Sequence, residues 1–235
     1  AYTDDYMQDT LELQTQLFEE MKSRIKEDDS SLPCRDGDYY YYDRYDKGAQ
    51  HPCYYRHDQH QQEQLLLNVD ELASEYDYFE IGQCEHSPNH RFLAYSVDTK
   101  GSEFYTLFVI DLQTRKAATQ TIEHIQGNFV WAMDSESLFY TTLDNNHRPD
   151  KVYRHKLGTN SDHDALIYQE PDASFFVGLE RTESNRYILI NVHNHTTSEI
   201  HTIDAYHPEQ PPRCFQTRIA DLEYSISDHE QHWYI

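Results

Sequence analysis

Paired histidines are the side chains of this sequence whose type and spacing could bind a metal ion. His193 and His195 stand two residues apart with His201 nearby, and His57 and His60 form a second pair. Imidazoles two residues apart would share one face of a strand, but a zinc site requires at least a third protein ligand. The chain holds 15 histidines, so such pairs arise by chance. We therefore predict no metal site and no cofactor.

Two serines stand beside residues that assist serine nucleophiles in hydrolases. Ser87 follows His86, and Ser198 precedes Glu199. Neighbouring side chains of a strand point to opposite faces, so these pairs are not placed to act together. The G-x-S-x-G pattern, which exposes the nucleophile of α/β-hydrolases on a sharp turn, occurs nowhere in the 235 residues. We predict no catalytic residue in this chain.

Charged residues cluster at the predicted turns between strands in the middle of the chain. Exposed charges of this kind usually lie in solvent, where an ion pair contributes about 0 to 1 kcal/mol. The alternative hypothesis is that some of them contact another domain, with Arg148 or Arg154 forming the ion pair. The candidates for an interdomain contact are Arg148, Asp150, Arg154, Glu170 and Asp172, with Asp144 close to the first of them.

Composition restricts the classes of function. The 19 Lys and Arg residues against 42 Asp and Glu residues give a formal net charge of −23. Such a surface repels phosphate backbones and anionic lipids, so we expect neither nucleic-acid binding nor membrane binding, whereas cationic ligands would be attracted. No apolar run approaches the roughly 20 residues of a membrane-spanning helix, and the acidic N-terminus differs from a signal peptide. We predict a cytoplasmic protein.

The four cysteines lack the C-x-x-C spacing of zinc ribbons and thioredoxin-like proteins. They are Cys34, Cys53, Cys84 and Cys214. We expect four reduced thiols, and a disulfide between Cys34 and Cys53 is the alternative.

The first 32 residues predict an amphipathic α-helix. Met7, Leu11, Phe18, Met21 and Ile25 recur at intervals that line one helix face, and good helix formers such as Glu, Gln and Lys surround them. We expect one helix over about residues 4–26. It should end in the polar run before Pro33, because proline disfavours a continuing helix.

From residue 33 onward the sequence predicts strands and turns, because short runs rich in Tyr, Phe, Val, Ile and Thr alternate with polar clusters. A polar turn followed by an apolar strand recurs as SPNHRFLAYS from Ser87, DSESLFYTT from Asp134, ESNRYILIN from Glu183 and DHEQHWYI from Asp228. The starts lie 47, 49 and 45 residues apart, and each interval holds about four candidate strands. This period predicts the blades of a β-propeller.

The predicted blades cover residues 78–124, 128–170 and 174–216, and a further blade opens at Tyr224. Before them, three strands of an incomplete blade are predicted at residues 39–42, 51–56 and 64–68, followed by a short helix near 69–74. The strand at 39–42 consists of four consecutive tyrosines. Because side chains alternate along a strand, these tyrosines should pack on both faces and cannot form one aromatic platform.

Several long stretches of the sequence resemble one group of enzymes. They are MKSRIKEDDSSLPCRDGDYYYYDRYDKGAQHPCYYR from Met21, FLAYSVDTKGSEFYTL from Phe92, FVWAMDSESLFYTTLDNNHRPDKVYRHKLGT from Phe129 and HTTSE from His195. They are similar to the N-terminal part of oligopeptidase B, also called protease II, within the prolyl oligopeptidase family of serine peptidases. The resemblance implies a mainly β chain with an N-terminal α-helix followed by a partial seven-bladed β-propeller of about three to four blades.

The resemblance also implies separate roles for the propeller and a catalytic domain. In this family a short N-terminal segment packs on a C-terminal α/β-hydrolase domain, and the propeller caps that domain's active site. It implies that residues 1–32 are this segment and residues 33–235 the first half of the propeller. The family hydrolyses short peptides after Arg or Lys with a Ser, Asp and His triad in the hydrolase domain. Short basic peptides and that domain are therefore the expected partners.

We expect this chain to be the N-terminal part of a longer enzyme and to be inert alone. It begins without Met, stops on the apolar run Trp233-Tyr234-Ile235, and lacks G-x-S-x-G. The alternative is a stand-alone propeller fragment that acts as a peptide-binding, protein-binding or scaffold module. Half a propeller leaves open strand edges and a helix face without its partner, so we expect the isolated chain to be unstable or to self-associate.

Overall fold

In the computed structural model, which describes residues 1–235, the N-terminal segment folds into helices α1 over Tyr2–Met7 and α2 over Leu11–Ser23. A 3₁₀ turn separates them, and there the Thr10 hydroxyl donates a hydrogen bond to the carbonyl of Met7. The predicted helix is confirmed, but its continuity and its end are wrong. The Ser23 hydroxyl, at the end of α2, likewise donates to the carbonyl of Glu20, and such side-chain bonds compete with the helical pattern. The predicted apolar face is 38% to 66% exposed at Met7, Leu11, Phe18, Met21 and Ile25.

The first of two structural units, Ala1–Glu75, also contains a four-stranded antiparallel sheet. Its strands, in spatial order, are β1 at Cys34–Asp36, β2 at Tyr39–Arg44, β3 at Cys53–Asp58 and β4 at Glu63–Asn68. The three predicted strands are confirmed as β2, β3 and β4, but the prediction of an incomplete blade is wrong. Gly37, with a φ of 56°, turns the chain within two residues and pairs the polar strand β1 with β2. The short helix is confirmed as α3 at Val69–Ala73.

The four consecutive tyrosines lie on β2 and alternate between its faces, as predicted. The rings of Tyr39 and Tyr41 contact each other edge to face, with centroids 6.3 Å apart. Tyr42 instead stacks on its cross-strand partner Tyr55 at 5.6 Å. The run is therefore a two-sided strand whose aromatic contacts help to hold β2 against β3.

The second unit, Tyr76–Ile235, contains fourteen further strands. They are β5 (Glu80–His86), β6 (Phe92–Asp98), β7 (Tyr105–Asp111), β8 (Lys116–Ala117), β9 (Ile122–Trp131), β10 (Ser137–Leu143), β11 (Pro149–Lys156), β12 (Ala165–Gln169), β13 (Phe176–Arg181), β14 (Tyr187–His193), β15 (Ser198–Asp204), β16 (Arg213–Gln216), β17 (Ser227–His229) and β18 (His232–Tyr234). Neighbours in each sheet are antiparallel and follow one another closely in sequence, as in propeller blades. The predicted mainly β fold with a partial propeller is confirmed.

One continuous strand joins two of these blades. The first half of β9 pairs with β7 through Ile122 and Ile125, and its second half pairs with β10 through Phe129 and Trp131. Between the halves lies Gly127, whose φ is 105°. The outer strand of one predicted blade and the inner strand of the next are therefore a single element, and β5 to β12 form one eight-stranded sheet.

The four repeated turns share one backbone conformation. In each, the residue two positions before the strand has a positive φ, which is 60° at His90, 60° at Ser135, 61° at Asn185 and 55° at Glu230. A positive φ is uncommon for residues other than glycine, so its recurrence at one position marks a repeated structural unit. The backbone thus supports the repeat that the sequence predicted.

Apolar cores between successive sheets bury both faces of the inner strands. Along β14, Ile188 and Ile190 share a core with Phe139 of β10, whereas Leu189 packs with Ile226 on the opposite face. These side chains are at most 6% exposed. Full burial of each contributes about 1.5–3 kcal/mol. Two-sided burial also explains why these strands are nearly continuous apolar runs in the sequence.

Replacement of Gly127 by alanine is expected to lower the free energy of unfolding by about 1–3 kcal/mol. A Cβ there would lie 3.0 Å from the ring of Tyr105, and a φ of 105° is strained for any residue with a side chain. Urea denaturation of the full chain measures the change. Gly178→Ala is the control, because Gly178 has no positive φ and its Cβ would meet nothing closer than 3.9 Å. Equal losses in both variants would contradict the role given to Gly127.

Candidate functional site

Arg148 joins two segments at one end of the sheet that contains β10 to β12. It follows the turn between β10 and β11, and the connection from β12 to β13 returns to the same end. Its guanidinium donates to Asp144 Oδ2 at 3.1 Å and to the carbonyls of Asp172 at 3.0 Å and Phe175 at 2.8 Å. The side chain is only 11% exposed. Arg148 therefore stabilises the connection between successive blades.

Three other predicted interdomain residues differ in position and exposure. Asp150 is buried at the start of β11, where its Oδ2 accepts a hydrogen bond from the adjacent lysine at 2.7 Å. Arg154 lies towards the far end of β11 and donates to the carbonyl of Pro208. Asp172 is exposed, and hydrogen bonds from the amide and hydroxyl of Ser174 lower the pKa of its carboxyl group. Contact of these residues with another domain stays a prediction.

Glu170, the remaining predicted residue, is buried and binds Arg218. Its Oε2 accepts hydrogen bonds from Arg218 Nη2 at 2.6 Å and from the Tyr168 hydroxyl at 2.7 Å, and its Oε1 accepts the amide of Asp172 at 2.8 Å. Burial alone would raise the pKa of Glu170, but these bonds outweigh it and hold the pKa below its usual value. The guanidinium also lies over the ring of Phe175, 4.1 Å from the centroid.

Arg218 binds a second carboxylate, that of Glu199 on β15. Its Nη2 lies 3.2 Å from Glu199 Oε1, and its main-chain amide donates to Oε2 at 3.0 Å. His201 Nε2 also lies 3.0 Å from Oε1. Burial raises the pKa of Glu199, but the bonds from Arg218 and His201 outweigh burial and lower the pKa to about 2. One guanidinium thus joins the end of β12 to β15 and to the segment after β16.

Cys214 brings a third possible metal ligand to Glu199 and His201. On β16 it is the cross-strand partner of His201, and Glu199 lies two residues before His201 on β15. Directly opposite residues and residues two apart share a sheet face, so the three side chains lie together. One ligand atom of each residue lies within 4.8 Å of the other two. All four cysteines of the chain are free thiols, as predicted.

The histidine and serine side chains that the sequence offered for metal binding or catalysis lie apart from this group. His193 ends β14 and His195 lies in the following turn, so the predicted sharing of a strand face is wrong, because the strand is too short to include both. Ser87 is fully buried, and its hydroxyl donates to Asn89 Oδ1 at 2.7 Å and accepts the amide of Phe92 at 3.0 Å. Ser87 therefore fixes the turn before β6.

A Thr-His-Asp arrangement, which sequence reasoning missed, lies inside the second unit. His155 Nδ1 is 2.8 Å from Asp164 Oδ1, His155 Nε2 is 2.8 Å from Thr119 Oγ1, and the Tyr140 hydroxyl donates to Asp164 Oδ2 at 2.9 Å. The order of groups is that of a nucleophile, base and orienting acid. The imidazole is 0% exposed and the carboxylate 2%, so a substrate has no access to the base. The cluster satisfies buried polar groups.

Sequence reasoning also missed Arg218, Tyr168 and Cys214. Glu199 and His201 alternate along a predicted strand, and Cys214 lies on the next one, so the strand pattern did carry a signal for that group. No pattern indicated Arg218, because it follows the last strand of its sheet and lies 48 residues from Glu170.

Antiparallel four-stranded blades with apolar cores between them define a propeller protein. The family described as "Prolyl oligopeptidase, N-terminal beta-propeller domain" matches residues 1–235, and the chain therefore belongs to this family. It is 30% identical over 241 residues to Protease 2 of Moraxella lacunata, an alignment that covers 99% of this chain and 34% of that protein. The chain thus spans about a third of the length of this relative.

Two solved structures show the same architecture along nearly the whole chain. Oligopeptidase B from Leishmania major is 26% identical with a TM-score of 0.92, covering 97% of this chain and 33% of the other. Oligopeptidase B from Trypanosoma brucei, in a closed form with covalently bound antipain, is 26% identical with a TM-score of 0.88. The match covers 98% of this chain and 33% of the other. The resemblance inferred from the sequence is confirmed. No helix of this chain is both long enough and apolar enough to span a lipid bilayer.

Arg218→Gln is expected to lower the free energy of unfolding by about 2–4 kcal/mol, a range that allows for the partial exposure of the arginine. The loss follows because the variant leaves the buried carboxylate of Glu170 without its cation. Urea denaturation at pH 7 measures it. Lys156→Gln is the control, since it removes an exposed ion pair with Glu136 and should cost less than about 0.5 kcal/mol. A loss no larger than in the control would refute the role of Arg218.

Stability is expected to fall as the pH is lowered from about 4.5 to about 2. The folded chain holds the pKa of Glu199 at about 2, below the usual 4.5, so the unfolded chain takes up protons first in this range. The contribution of Glu199 is therefore present above pH 4.5 and is lost as the pH approaches 2. Denaturation midpoints measured across this range should change less in Glu199→Gln than in the unmodified chain. Parallel curves would argue against this assignment.

Proposed function

We propose that this chain is the N-terminal and propeller portion of an oligopeptidase B-like serine endopeptidase that hydrolyses short peptides after Arg or Lys. The observation that carries the proposal is the likeness to oligopeptidase B along nearly the whole chain. The 235 residues contain no G-x-S-x-G sequence. We therefore assign the nucleophile to an α/β-hydrolase domain of the parent enzyme, and we expect this chain alone to be inactive.

In this proposal the propeller admits short peptides to the hydrolase site and excludes folded proteins. Successive blades share apolar cores, which suits a cap that keeps its shape. The net charge of −23 favours the approach of cationic peptides, and salt should weaken this attraction.

We assign the contact with the hydrolase domain to the end of the blades where Arg148, Glu170 and Asp172 lie. Asp172 is exposed there, so it is the carboxylate that can reach a cation of another domain. Arg148 and Glu170 instead hold the loop of Asp172 through its carbonyl and its amide. Arg154 and Asp150, the other two candidates, would act through the shape of the blade.

The parent enzyme provides the test of this function. Its kcat/KM for a fluorogenic peptide with Arg before the scissile bond should exceed that for a matched peptide with Pro there by at least about tenfold. A reagent that modifies serine nucleophiles should abolish turnover. A parent protein that binds basic peptides without hydrolysing them would refute the peptidase proposal and support the binding module.

Asp172→Arg in the parent enzyme is expected to lower kcat/KM for the Arg peptide by up to about fivefold, the value of an exposed ion pair of about 1 kcal/mol. Asp172→Asn should also lower kcat/KM, because it removes the negative charge. It keeps an oxygen acceptor for Ser174, so it separates the effect of the charge from an effect on the loop structure. Asp162→Arg is the control, because Asp162 is exposed near the opposite end of β11. Unchanged activity and unchanged salt dependence in both Asp172 variants would contradict the contact.

A further inference from the structure

We propose that Glu199, His201 and Cys214 bind a Zn²⁺ ion on the sheet face shared by β15 and β16. Glu199 and His201 stand two residues apart on β15, and Cys214 lies opposite His201 on β16. Their ligand atoms lie within 4.8 Å of one another. The site is thus built by the register of two neighbouring strands and does not depend on a flexible loop.

The chemistry of the three ligands selects the metal. A thiolate, an imidazole and a carboxylate are the ligands that zinc combines in proteins, whereas Mg²⁺ and Ca²⁺ prefer oxygen ligands alone. Zinc bonds of about 2.0–2.3 Å require the ligand atoms to lie about 3–4 Å apart. His201 Nε2 and Glu199 Oε1 already lie 3.0 Å apart. Rotation of the exposed Cys214 side chain would bring its Sγ within the same range of both atoms.

The residues around the three ligands restrict their movement, and the group as a whole carries a net negative charge that favours a cation. Three groups of Arg218 fix the Glu199 carboxylate: the main-chain amide and Nε at Oε2, and Nη2 at Oε1. The fourth hydrogen bond of this carboxylate joins Oε1 to His201 Nε2, and a metal ion would replace that bond by coordinating both atoms. The ring of Tyr168 lies 4.8 Å from the ring of His201 and limits its rotation. With Cys214 as thiolate, the charges of Glu170, Glu199 and the thiolate exceed that of Arg218, so bound Zn²⁺ reduces their repulsion.

Binding would have a structural consequence at the edge of this sheet. β16 is the edge strand, and its pairing with β15 shifts register between Ile200 and His201. A metal bound by His201 and Cys214 crosslinks the two strands beside this irregularity. Zinc bound to the folded state alone would therefore raise the midpoint of thermal unfolding.

The experiment uses the full chain after removal of metal with a chelator. Titration with Zn²⁺ should give one bound ion by calorimetry, and titration with Co²⁺ should give a thiolate-to-cobalt charge-transfer band. Cys214→Ser should abolish that band, and His201→Asn should weaken Zn²⁺ binding by at least about tenfold. Cys34→Ser is the matched control, since Cys34 is another exposed thiol and lies on β1.

The outcomes separate a built site from adventitious binding. An unchanged band in Cys214→Ser, or equal effects of the Cys214 and Cys34 variants, would overturn the proposal, as would the absence of stoichiometric binding. The Cys214 variant exchanges one atom at an exposed position, so its result stands even if His201→Asn fails to fold. None of these measurements depends on peptidase activity, so the result is independent of the proposed function.

Discussion

The inner strands of Tyr76–Ile235, such as β6, β10 and β14, are buried on both faces, and most of the architecture of this unit follows from that constraint. A sheet with two apolar faces must have a packing partner on each side. Adjacent residues of β9 show the principle: Trp131 shares a core with Leu107, and Val130 shares the next core with Val177. Each repeat therefore supplies one wall to the core before it and one to the core after it, which accounts for the regular spacing of the repeated segments.

Apolar packing holds the sheets together but leaves their ends free to shift, because it has little directional preference. Directional bonds fix the ends. Arg148 donates to two carbonyls of the connection between β12 and β13, and Arg218 binds carboxylates at the end of β12 and on β15. Trp131 adds a hydrogen bond from its indole to the carbonyl of Glu85. Charged and polar groups thus define the alignment of blades whose attraction comes mainly from the cores.

The features that local sequence determines were predictable, and those that depend on distant partners were not. Alternation and turn composition located nearly all the strands and the faces of the tyrosine run. β1 was missed because it is short and polar and forms only through the turn at Gly37. Glu170 was identified from its position in a loop, but its buried state depends on Arg218, which no local pattern connects to it. The group of Glu199, His201 and Cys214 requires the strand register, which includes an irregularity.

These interactions also restrict how a propeller of this kind could admit a peptide. Separation of β13 and β14 from β10 would expose Phe139 and Ile190, at about 1.5–3 kcal/mol for each buried side chain, and the other members of the same core would add to this cost. It would also break hydrogen bonds that Arg148 donates to the connection between β12 and β13. If the contact between Arg218 and Glu170 were broken as well, Glu170 would become an uncompensated buried charge. Opening between these blades is therefore unfavourable. In the proposed enzyme, the movement that admits substrate must occur at surfaces outside these junctions, where exposed groups such as Asp172 can change partners.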